Sequence, residues 1–595
     1  MSSVRTQVEE VEQVEPDNDW TIMIFFAGDP HLSPSMTAQL KSFKDAGFQD
    51  NTTVLVHYDP NEKGVATTTF DINRTRKVQR REELEKEGKN KAATIIGDGK
   101  DPYVRNLLED SITGGASRTD NAEQALRAFL DIGATRYPAK HYIISLVGHG
   151  VIVGNDVFLP DHQPESGITL GQLGDILRHF NLIIPKNSKV ELLGMHSCSM
   201  SAIEVLYELK DTARYMMATE GVSFVTSWPY RQLMKKVLNA IANTRNDDVK
   251  GEEKTKVDVD GLIKSFHDLA LHNSTDFIFS GLSADLCLCR LEKDPIEALN
   301  DSLKKLTTAL KKGMEDPPRL PGEPEYPRKE ARGLELIKLA HLEAQSYWQE
   351  TYTDLYDFCL CLERRCDITD PVQQAMADAC KVVREKLKES PAAGSLIVQS
   401  DHVGPLFQYS HGLSIFFPWS RPVQEEPLIL NDDILTRYEQ YEFTKALGRR
   451  DSWLSFLEEY FAKTKRDSRD DEDNDKKVRP NVSVNGTRFS RTFASGIGTS
   501  NIGNGESLEK GSGALEKGSG ALNGGCGCSV KNYPMEVSLS LRASKDANRN
   551  RAASTTPSNN GVGLTTKAKT EATSRKTTSA TTKTNGGNKT GRRKH

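Results

Sequence analysis

The sequence has no long hydrophobic run, no strong excess of charge and few cysteines for its length. No apolar stretch reaches the roughly 18 residues that would suggest a membrane-spanning helix. The formal net charge is only −5 over 595 residues, which indicates no general attraction to polyanions or membrane surfaces. Nine cysteines do not make a disulfide framework in a chain of this size. These absences favour a large globular protein in which the cysteines are thiols.

The first 18 residues are acidic and polar. They contain neither the basic start nor the apolar core of a secretory signal, so we expect a disordered lead and a reducing, cytoplasmic setting. The pairs Cys287–Cys289 and Cys359–Cys361 lack the C-x2-C spacing of zinc sites, which favours thiols in the core. We therefore predict no metal site.

Apolar runs alternate with amphipathic stretches through the first part of the chain. The runs at residues 20–27, 52–58, 141–147 and 190–195 are typical of buried strands. Strands that alternate with helices predict an α/β fold, a doubly wound and mostly parallel sheet flanked by helices.

Composition divides the chain into further segments. Residues 19–232 form the predicted α/β core, 233–340 a mainly helical insertion with exposed polar linkers, and 341–462 a later part of the same domain. Residues 463–595 are rich in Ser, Thr, Gly, Asn and Lys, and they contain too few large apolar side chains to fold. The end of this disordered tail is basic, which suits either weak contacts with an anionic partner or a plain solvated tail.

One cysteine lies where a predicted strand gives way to a predicted helix. Cys198 follows the apolar run Val190–Met195, and Ser201 with Glu204 three residues later has the pattern of a capping box. A thiol beside a helix N-terminus has a lowered pKa, which favours the nucleophilic thiolate. A buried structural cysteine is the alternative, and it is less favoured because a catalytic partner lies upstream.

The partner is His149, which follows the apolar run 141–147 inside Gly148-His149-Gly150. The carboxyl ends of parallel strands share one edge of a sheet, and functional sites collect at that edge. We therefore expect His149 and Cys198 to meet as general acid/base and nucleophile. Gly150 has no side chain, so its backbone can approach a substrate closely.

This pattern resembles the clostripain family of cysteine peptidases, which shares a fold group with the caspases. The histidine precedes the cysteine by 49 positions, which is close to caspase spacing. The resemblance covers roughly residues 19–462 and implies a caspase-like fold and a cysteine endopeptidase that acts on polypeptides. Two departures occur, since His196 replaces an Asp of the family and Val147-Gly148 replace an aromatic residue and an Asp. The other matching motifs are Trp20–Asp29, Ala218–Gly221, Trp228–Tyr230, Tyr352–Phe358 and His411–Pro418.

The resemblance also implies site residues. The N–H groups of Gly150 and Cys198 would form the oxyanion hole, and cleavage would follow Arg or Lys. His196 would replace His149 as the base, line the substrate pocket or merely pack, and all three interpretations stay open. Because histidine supplies no fixed negative charge, Glu220 is the candidate for that role in the pocket. Calcium dependence occurs in the family, but the sequence contains no EF-hand-type loop, so we predict no cofactor.

Two classes of function follow. The first is a cysteine endopeptidase, which the intact pair of His149 and Cys198 favours. The second is a catalytically degenerate scaffold that binds partners through its surface and basic tail, which the change to His196 favours mildly.

Overall fold

The computed structural model describes residues 16, 18–28, 32–60, 66–89, 93–96, 108–112, 121–150, 158–162, 165–244, 257–274, 283–316, 332–348, 350–422 and 434–475. The predicted lead 1–18 lies outside the described residues except for 16 and 18. The predicted tail 463–595 does so except for residues 463–475, which continue the last described helix. The predicted end of the folded domain at residue 462 therefore falls inside a helix.

The described residues contain sixteen strands and fourteen helices, besides a 3-10 turn at Leu108–Asp110. The strands are β1 Asn18–Phe26, β2 Gly47–Phe48, β3 Thr52–Tyr58, β4 Thr68–Asp71, β5 Ile95–Ile96, β6 Ser111–Ile112, β7 Ala139–Val147, β8 Phe158–His162, β9 Glu165–Ile168, β10 Lys189–His196, β11 Tyr215–Ala218, β12 Ala284–Arg290, β13 Ser346–Tyr347, β14 Tyr352–Asp354, β15 Ile397–Val403 and β16 Ser414–Phe416. The helices are α1 Ser33–Ala46, α2 Arg74–Lys86, α3 Ala122–Arg136, α4 Leu170–Ile183, α5 Ile203–Glu208, α6 Tyr230–Thr244, α7 Val259–Ser274, α8 Lys293–Gly313, α9 Arg332–Glu343, α10 Leu355–Glu363, α11 Pro371–Lys386, α12 Ile434–Gln440, α13 Glu442–Leu447 and α14 Trp453–Asp475.

Nine strands form the central sheet, in the order β15-β12-β11-β10-β7-β1-β3-β4-β6. The five strands in the middle, from β11 to β3, run parallel. Two antiparallel strands extend the sheet at each edge. The predicted α/β fold, a mostly parallel sheet flanked by helices, is therefore confirmed, and the antiparallel edges are an addition to it.

The alternation of side chains along β1 explains how the sheet is buried on both faces. Trp20 and Ile22 join an apolar cluster with α1, α6 and α7. Met23 and Phe25 join the larger cluster on the other face, where α3, α4, α5 and α8 pack. Successive strand residues point to opposite faces, so a continuous apolar run fits a central strand and excludes a strand with one face in water.

The described part of the segment 233–340 consists mostly of helices, from α6 to α9, but it also contains a strand of the central sheet. It contributes β12, which pairs with β11 on one side and β15 on the other. This part of the chain is therefore built into the central sheet and does not stand apart from the core. In the described part of the chain, no helix is both long and apolar enough to cross a membrane.

Candidate active site

The carboxyl ends of β7 and β10 lie side by side, and a predicted catalytic residue follows each. In the parallel ladder Val147 pairs with His196, and the Gly148 N–H donates to the His196 carbonyl at 3.4 Å. His149 and Cys198 each lie two residues beyond that last pair. The register therefore brings both residues to the same edge of the sheet.

Gly150 packs directly against the backbone of Cys198. A Cβ atom at position 150 would lie 1.7 Å from the Cys198 carbonyl oxygen and 3.0 Å from its nitrogen. Only glycine permits so close an approach. His149, the residue before Gly150, is half-buried and accepts a hydrogen bond from Leu159 N–H through its carbonyl at 3.2 Å. The contact of Gly150 with Cys198 holds the histidine segment beside the cysteine. It also makes the backbone N–H groups of Gly150 and Cys198, the predicted oxyanion hole, neighbours.

The helix after the cysteine begins later than the sequence predicts. Helix α5 has only six residues, and its N-cap position has no side-chain hydrogen bond. Ser201 donates its hydroxyl to the Gly412 carbonyl at 2.6 Å, while Glu204 accepts from the Tyr438 hydroxyl at 2.6 Å. The predicted capping box is therefore wrong, because tertiary partners take both side chains. Cys198 lies before a turn, so a helix dipole contributes little to its thiol.

A tight, buried turn carries the cysteine. Ser199, the next residue, has φ of 55°, in the left-handed region that costs a non-glycine residue free energy. Two hydrogen bonds hold the turn on the residues that follow β11. They run from Ser199 N–H to the Gly221 carbonyl and from Ser201 N–H to the Thr219 carbonyl, both at 2.9 Å. We name residues Ser197–Ser201 the nucleophile turn.

The Cys198 sulfur faces the backbone of Ser223. The Ser223 N–H donates to Sγ at 3.4 Å, and a hydrogen bond to the charged form of a group favours that form. This donor favours the thiolate, whereas the thiol itself donates to the Ser223 carbonyl at 3.8 Å, a contact that favours the neutral form. The Cys198 residue is only 1% exposed. A substrate carbonyl must come within about 3–3.5 Å of an attacking atom, so the atoms that cover the sulfur, those of Ser223 among them, must shift when a peptide binds.

The His196 ring is committed to packing. Its Nε2 donates to the Phe224 carbonyl at 2.7 Å, and its Nδ1 lies 2.9 Å from the Tyr230 hydroxyl. A neutral imidazole that donates through Nε2 accepts at Nδ1, so Tyr230 donates to it. The ring also stacks on Trp228 with centroids 4.4 Å apart and planes 7° apart. With both nitrogens in use and the residue 2% exposed, the geometry favours packing over the roles of base and pocket residue.

Glu220 is also not the pocket charge that the sequence predicts. The residue is 0% exposed, and its Oε2 accepts from the Gly412 N–H at 2.8 Å. Burial, together with the negative charges of Asp354 and Asp285, raises the pKa of Glu220 well above its usual value. Both effects disfavour the charged form of this carboxyl group. Because it is fully buried, Glu220 gives a substrate no contact surface.

Four of the other described cysteines lie in the core, as their apolar surroundings predict, and Cys361 and Cys366 are partly buried. The four at positions 287, 289, 359 and 380 are fully buried, and the described cysteines are thiols without disulfides. Among the described residues, no cluster of three or more His, Cys, Asp or Glu side chains has an arrangement that would hold a metal ion. Cys526 and Cys528 lie outside the described residues.

Comparison with known proteins identifies the family. The model of the clostripain family, Peptidase C11, matches residues 39–460 of the chain, which is more than half of it. The chain belongs to the clostripain family. It is therefore a cysteine-type peptidase, and its predicted membership in this family is confirmed.

Solved structures of C11 proteases are similar to this clostripain-family chain at low identity. A secreted C11 cysteine protease from Bacteroides thetaiotaomicron, in complex with an irreversible peptide inhibitor, is 12% identical with a TM-score of 0.43, and the match covers 73% of this chain and 99% of that one. An inactive zymogen C11 protease from Parabacteroides distasonis is 15% identical with a TM-score of 0.42 and the same coverage. No curated protein matches the chain.

Sequence reasoning missed the residues that hold the nucleophile turn of this clostripain-family chain. Ser223 contacts the sulfur, Gly412 accepts from Ser201, and Asp285 accepts from the Glu220 N–H at 2.6 Å. One signal was present, because the motif His411–Pro418 already resembled the family. This motif contacts the nucleophile turn through Gly412, which is 211 residues from Ser201 along the chain. No local pattern predicts that contact.

Proposed function

We propose that the chain is a cysteine endopeptidase in which Cys198 is the nucleophile and His149 the general acid/base. The contact of Gly150 with the Cys198 backbone carries this proposal, because it sets the histidine segment beside the thiol. The register of β7 and β10 supports it, and so does membership in a family of cysteine peptidases.

The chemistry follows from these groups. His149 takes the proton of the Cys198 thiol, and the thiolate attacks the carbonyl carbon of the scissile peptide bond. The N–H groups of Gly150 and Cys198 stabilise the resulting oxyanion. The C–N bond then breaks, His149 gives its proton to the leaving amine, and a thioester remains on Cys198. Water, deprotonated by His149, hydrolyses that thioester, releases the carboxylic acid and restores the thiol.

Cleavage after Arg or Lys is the finer part of the proposal, and it rests on the family alone. His196 and Glu220 do not support it, because the first is held by Tyr230 and Phe224 and the second is buried and bound to the Gly412 N–H. A peptide library that varies the residue before the scissile bond tests this preference. Equal cleavage after Arg, Lys and uncharged residues would contradict it.

The test of the dyad compares Cys198→Ala and His149→Ala with wild type, using a fluorogenic peptide and a peptidyl acyloxymethyl ketone that labels the nucleophilic cysteine. We expect each change to lower turnover at least about a hundred-fold, since members of a catalytic unit fail together. Cys198→Ala should also abolish labelling.

The matched control is Cys366→Ala. Burial and the nearby Cys380 raise the pKa of the Cys366 thiol to about 12, so this partly exposed cysteine should neither react with the label nor contribute to turnover. Wild-type turnover that persists in Cys198→Ala would exclude the dyad. Absence of both turnover and labelling in the wild type would favour the non-catalytic scaffold.

A further inference from the structure

Two buried carboxyl groups lie behind the nucleophile turn. Glu220 follows β11, and Asp285 lies on the neighbouring β12; they are 0% and 3% exposed. The two oxygens of Asp285 accept from the backbone N–H groups of Glu220 at 2.6 Å and Gly221 at 3.0 Å. Asp285 therefore fixes the backbone at the very end of β11, which in turn carries Glu220.

The Glu220 side chain reaches the nucleophile turn through one intermediate residue. Its Oε2 accepts from the Gly412 N–H at 2.8 Å, and the Gly412 carbonyl accepts from the Ser201 hydroxyl at 2.6 Å. Ser414 then donates its N–H to the Ser201 carbonyl at 3.0 Å. Three residues after Cys198, the chain is thus tied at both its side chain and its backbone.

Glycine is the only residue type that fits at position 412, between Glu220 and Ser201. Its φ is +99°, and a Cβ atom there would lie 2.8 Å from Ser400 Oγ and 2.9 Å from Cys287 Sγ. A side chain would strain the backbone and also collide with both neighbours. The peptide groups on either side of Gly412 can therefore face Glu220 and Ser201 at the same time.

The residue directly after the cysteine is held from Asp285. The Gly221 carbonyl accepts from the Ser199 N–H at 2.9 Å, and Asp285 holds Gly221. Ser199 has φ of 55°, and a residue in this region keeps its conformation only when its surroundings impose it. Cys198 thus lies directly before a strained residue whose position depends on hydrogen bonds that lead back to Asp285.

The surroundings of Glu220 favour its uncharged form. Asp354, Asp285, the Tyr347 hydroxyl and the Cys287 thiol all face it, and the charges of the two aspartates add to burial in raising the pKa of Glu220. A protonated Glu and a Gln have nearly the same shape and the same acceptor oxygen. Glutamine is therefore the natural substitute, and its amide would face the Asp354 carboxyl.

We propose that Glu220 is a positioning residue of the peptidase, which holds the nucleophile turn in its reactive geometry through Gly412 and Ser201. It touches neither the sulfur nor the substrate. The inference rests on the proposed role of Cys198 as the nucleophile, and it replaces a role for Glu220 in substrate selection.

The test compares Glu220→Ala and Glu220→Gln by steady-state kinetics, with active sites titrated by the acyloxymethyl ketone so that unfolded protein does not count. Glu220→Ala should lower kcat about ten-fold to a hundred-fold, because a misplacement of about 1 Å at a reacting group has an effect of that size. KM should change less than about two-fold, since substrate contacts stay. Glu220→Gln should keep at least about half of kcat, because it retains the acceptor for Gly412 N–H.

A second variant serves if Glu220→Ala does not fold. Ser201→Ala removes only the hydroxyl that donates to the Gly412 carbonyl. It should lower kcat about three-fold to ten-fold at unchanged KM, which is about the effect expected for one lost hydrogen bond. Retention of wild-type kcat per titrated site in both Glu220→Ala and Ser201→Ala would overturn the inference. So would an equal loss in Glu220→Gln and Glu220→Ala.

The ratio of cleavage after Arg to cleavage after an uncharged residue separates this role from a pocket role. The ratio should be the same in Glu220→Gln and wild type. A lower ratio in the variant would instead indicate that Glu220 is a substrate-pocket residue. Cys198→Ala is measured in parallel. If wild type shows no Cys198-dependent turnover, the proposed function and this inference both fail, whereas normal kcat in an active Glu220→Ala removes only the inference.

Discussion

Replacement of Glu204 by glutamine should make the protein more stable at alkaline pH. Glu204 lies on α5, just after the nucleophile turn, and it is 1% exposed. Its Oε1 accepts from the Tyr438 hydroxyl at 2.6 Å and from the Phe416 N–H at 3.0 Å. Burial raises the pKa of Glu204 from 4.5 to about 7, although these two hydrogen bonds oppose the rise.

The sign of the pH dependence follows from the raised pKa. The folded protein holds the Glu204 proton more tightly than the unfolded chain does, so its contribution to stability is fully present below about pH 4.5 and is lost as the pH rises through about 7. At about 1.4 kcal/mol per pKa unit, the loss reaches about 3 kcal/mol well above pH 7. Between pH 5.5 and pH 8.5 it grows by about 2 kcal/mol.

Glutamine removes this titration with little other change. Its amide oxygen can accept from Tyr438 and Phe416 as the carboxyl does. Its amide nitrogen would occupy the place of Oε2, a buried atom that has no hydrogen-bond partner in the wild type. The two proteins should therefore differ mainly in their response to pH.

The assay is urea unfolding of wild type and Glu204→Gln at several pH values from 5.5 to 8.5. The free energy of unfolding of the variant minus that of wild type should rise by about 2 kcal/mol over this range. Other groups that titrate are common to both proteins and cancel in the difference. Glu82→Gln, a change at an exposed position of α2, is the matched control and should show no such trend. A difference that stays constant from pH 5.5 to 8.5 would refute the assignment of a raised pKa to Glu204.

Two further predictions test the site itself. Gly150→Ala should lower turnover at least about a hundred-fold, because its Cβ would lie 1.7 Å from the Cys198 carbonyl oxygen and must displace the nucleophile. The control is Gly171→Ala, where nothing lies within 4 Å of the added atom, and it should leave turnover unchanged. An active Gly150→Ala would contradict the close packing. His196→Asp should destabilise the protein by roughly 3 kcal/mol or more, because a buried carboxylate would face the Phe224 carbonyl without a cation. Thermal unfolding measures this effect, and an unchanged melting temperature with a new preference for Arg would instead make His196 a pocket residue.

Much of the fold, and the place of His149 and Cys198 at one edge of the sheet, could be predicted from the sequence, because the pattern that indicates a buried strand is local. A central strand is buried on both faces, so it needs a continuous run of apolar residues such as 141–147. This need does not depend on which central position the strand takes. Parallel strands end at the same edge, so two residues that each follow such a run are brought together by topology alone. His149 and Cys198 needed no further information to be chosen as partners.

The tertiary structure decided the roles of His196, Glu204 and Glu220, because their surroundings come from distant parts of the chain. Glu204 has the spacing of a helix cap, but Tyr438, 234 residues away, takes its carboxyl. Glu220 follows a strand at the site's edge, but Gly412, 192 residues away, donates its N–H to the buried Glu220 carboxyl. Whether a carboxyl group is charged depends on the water and charges around it. The sequence shows only the neighbours of such a group that are close along the chain. The groups that determine its charge come from distant segments, and folding brings them together.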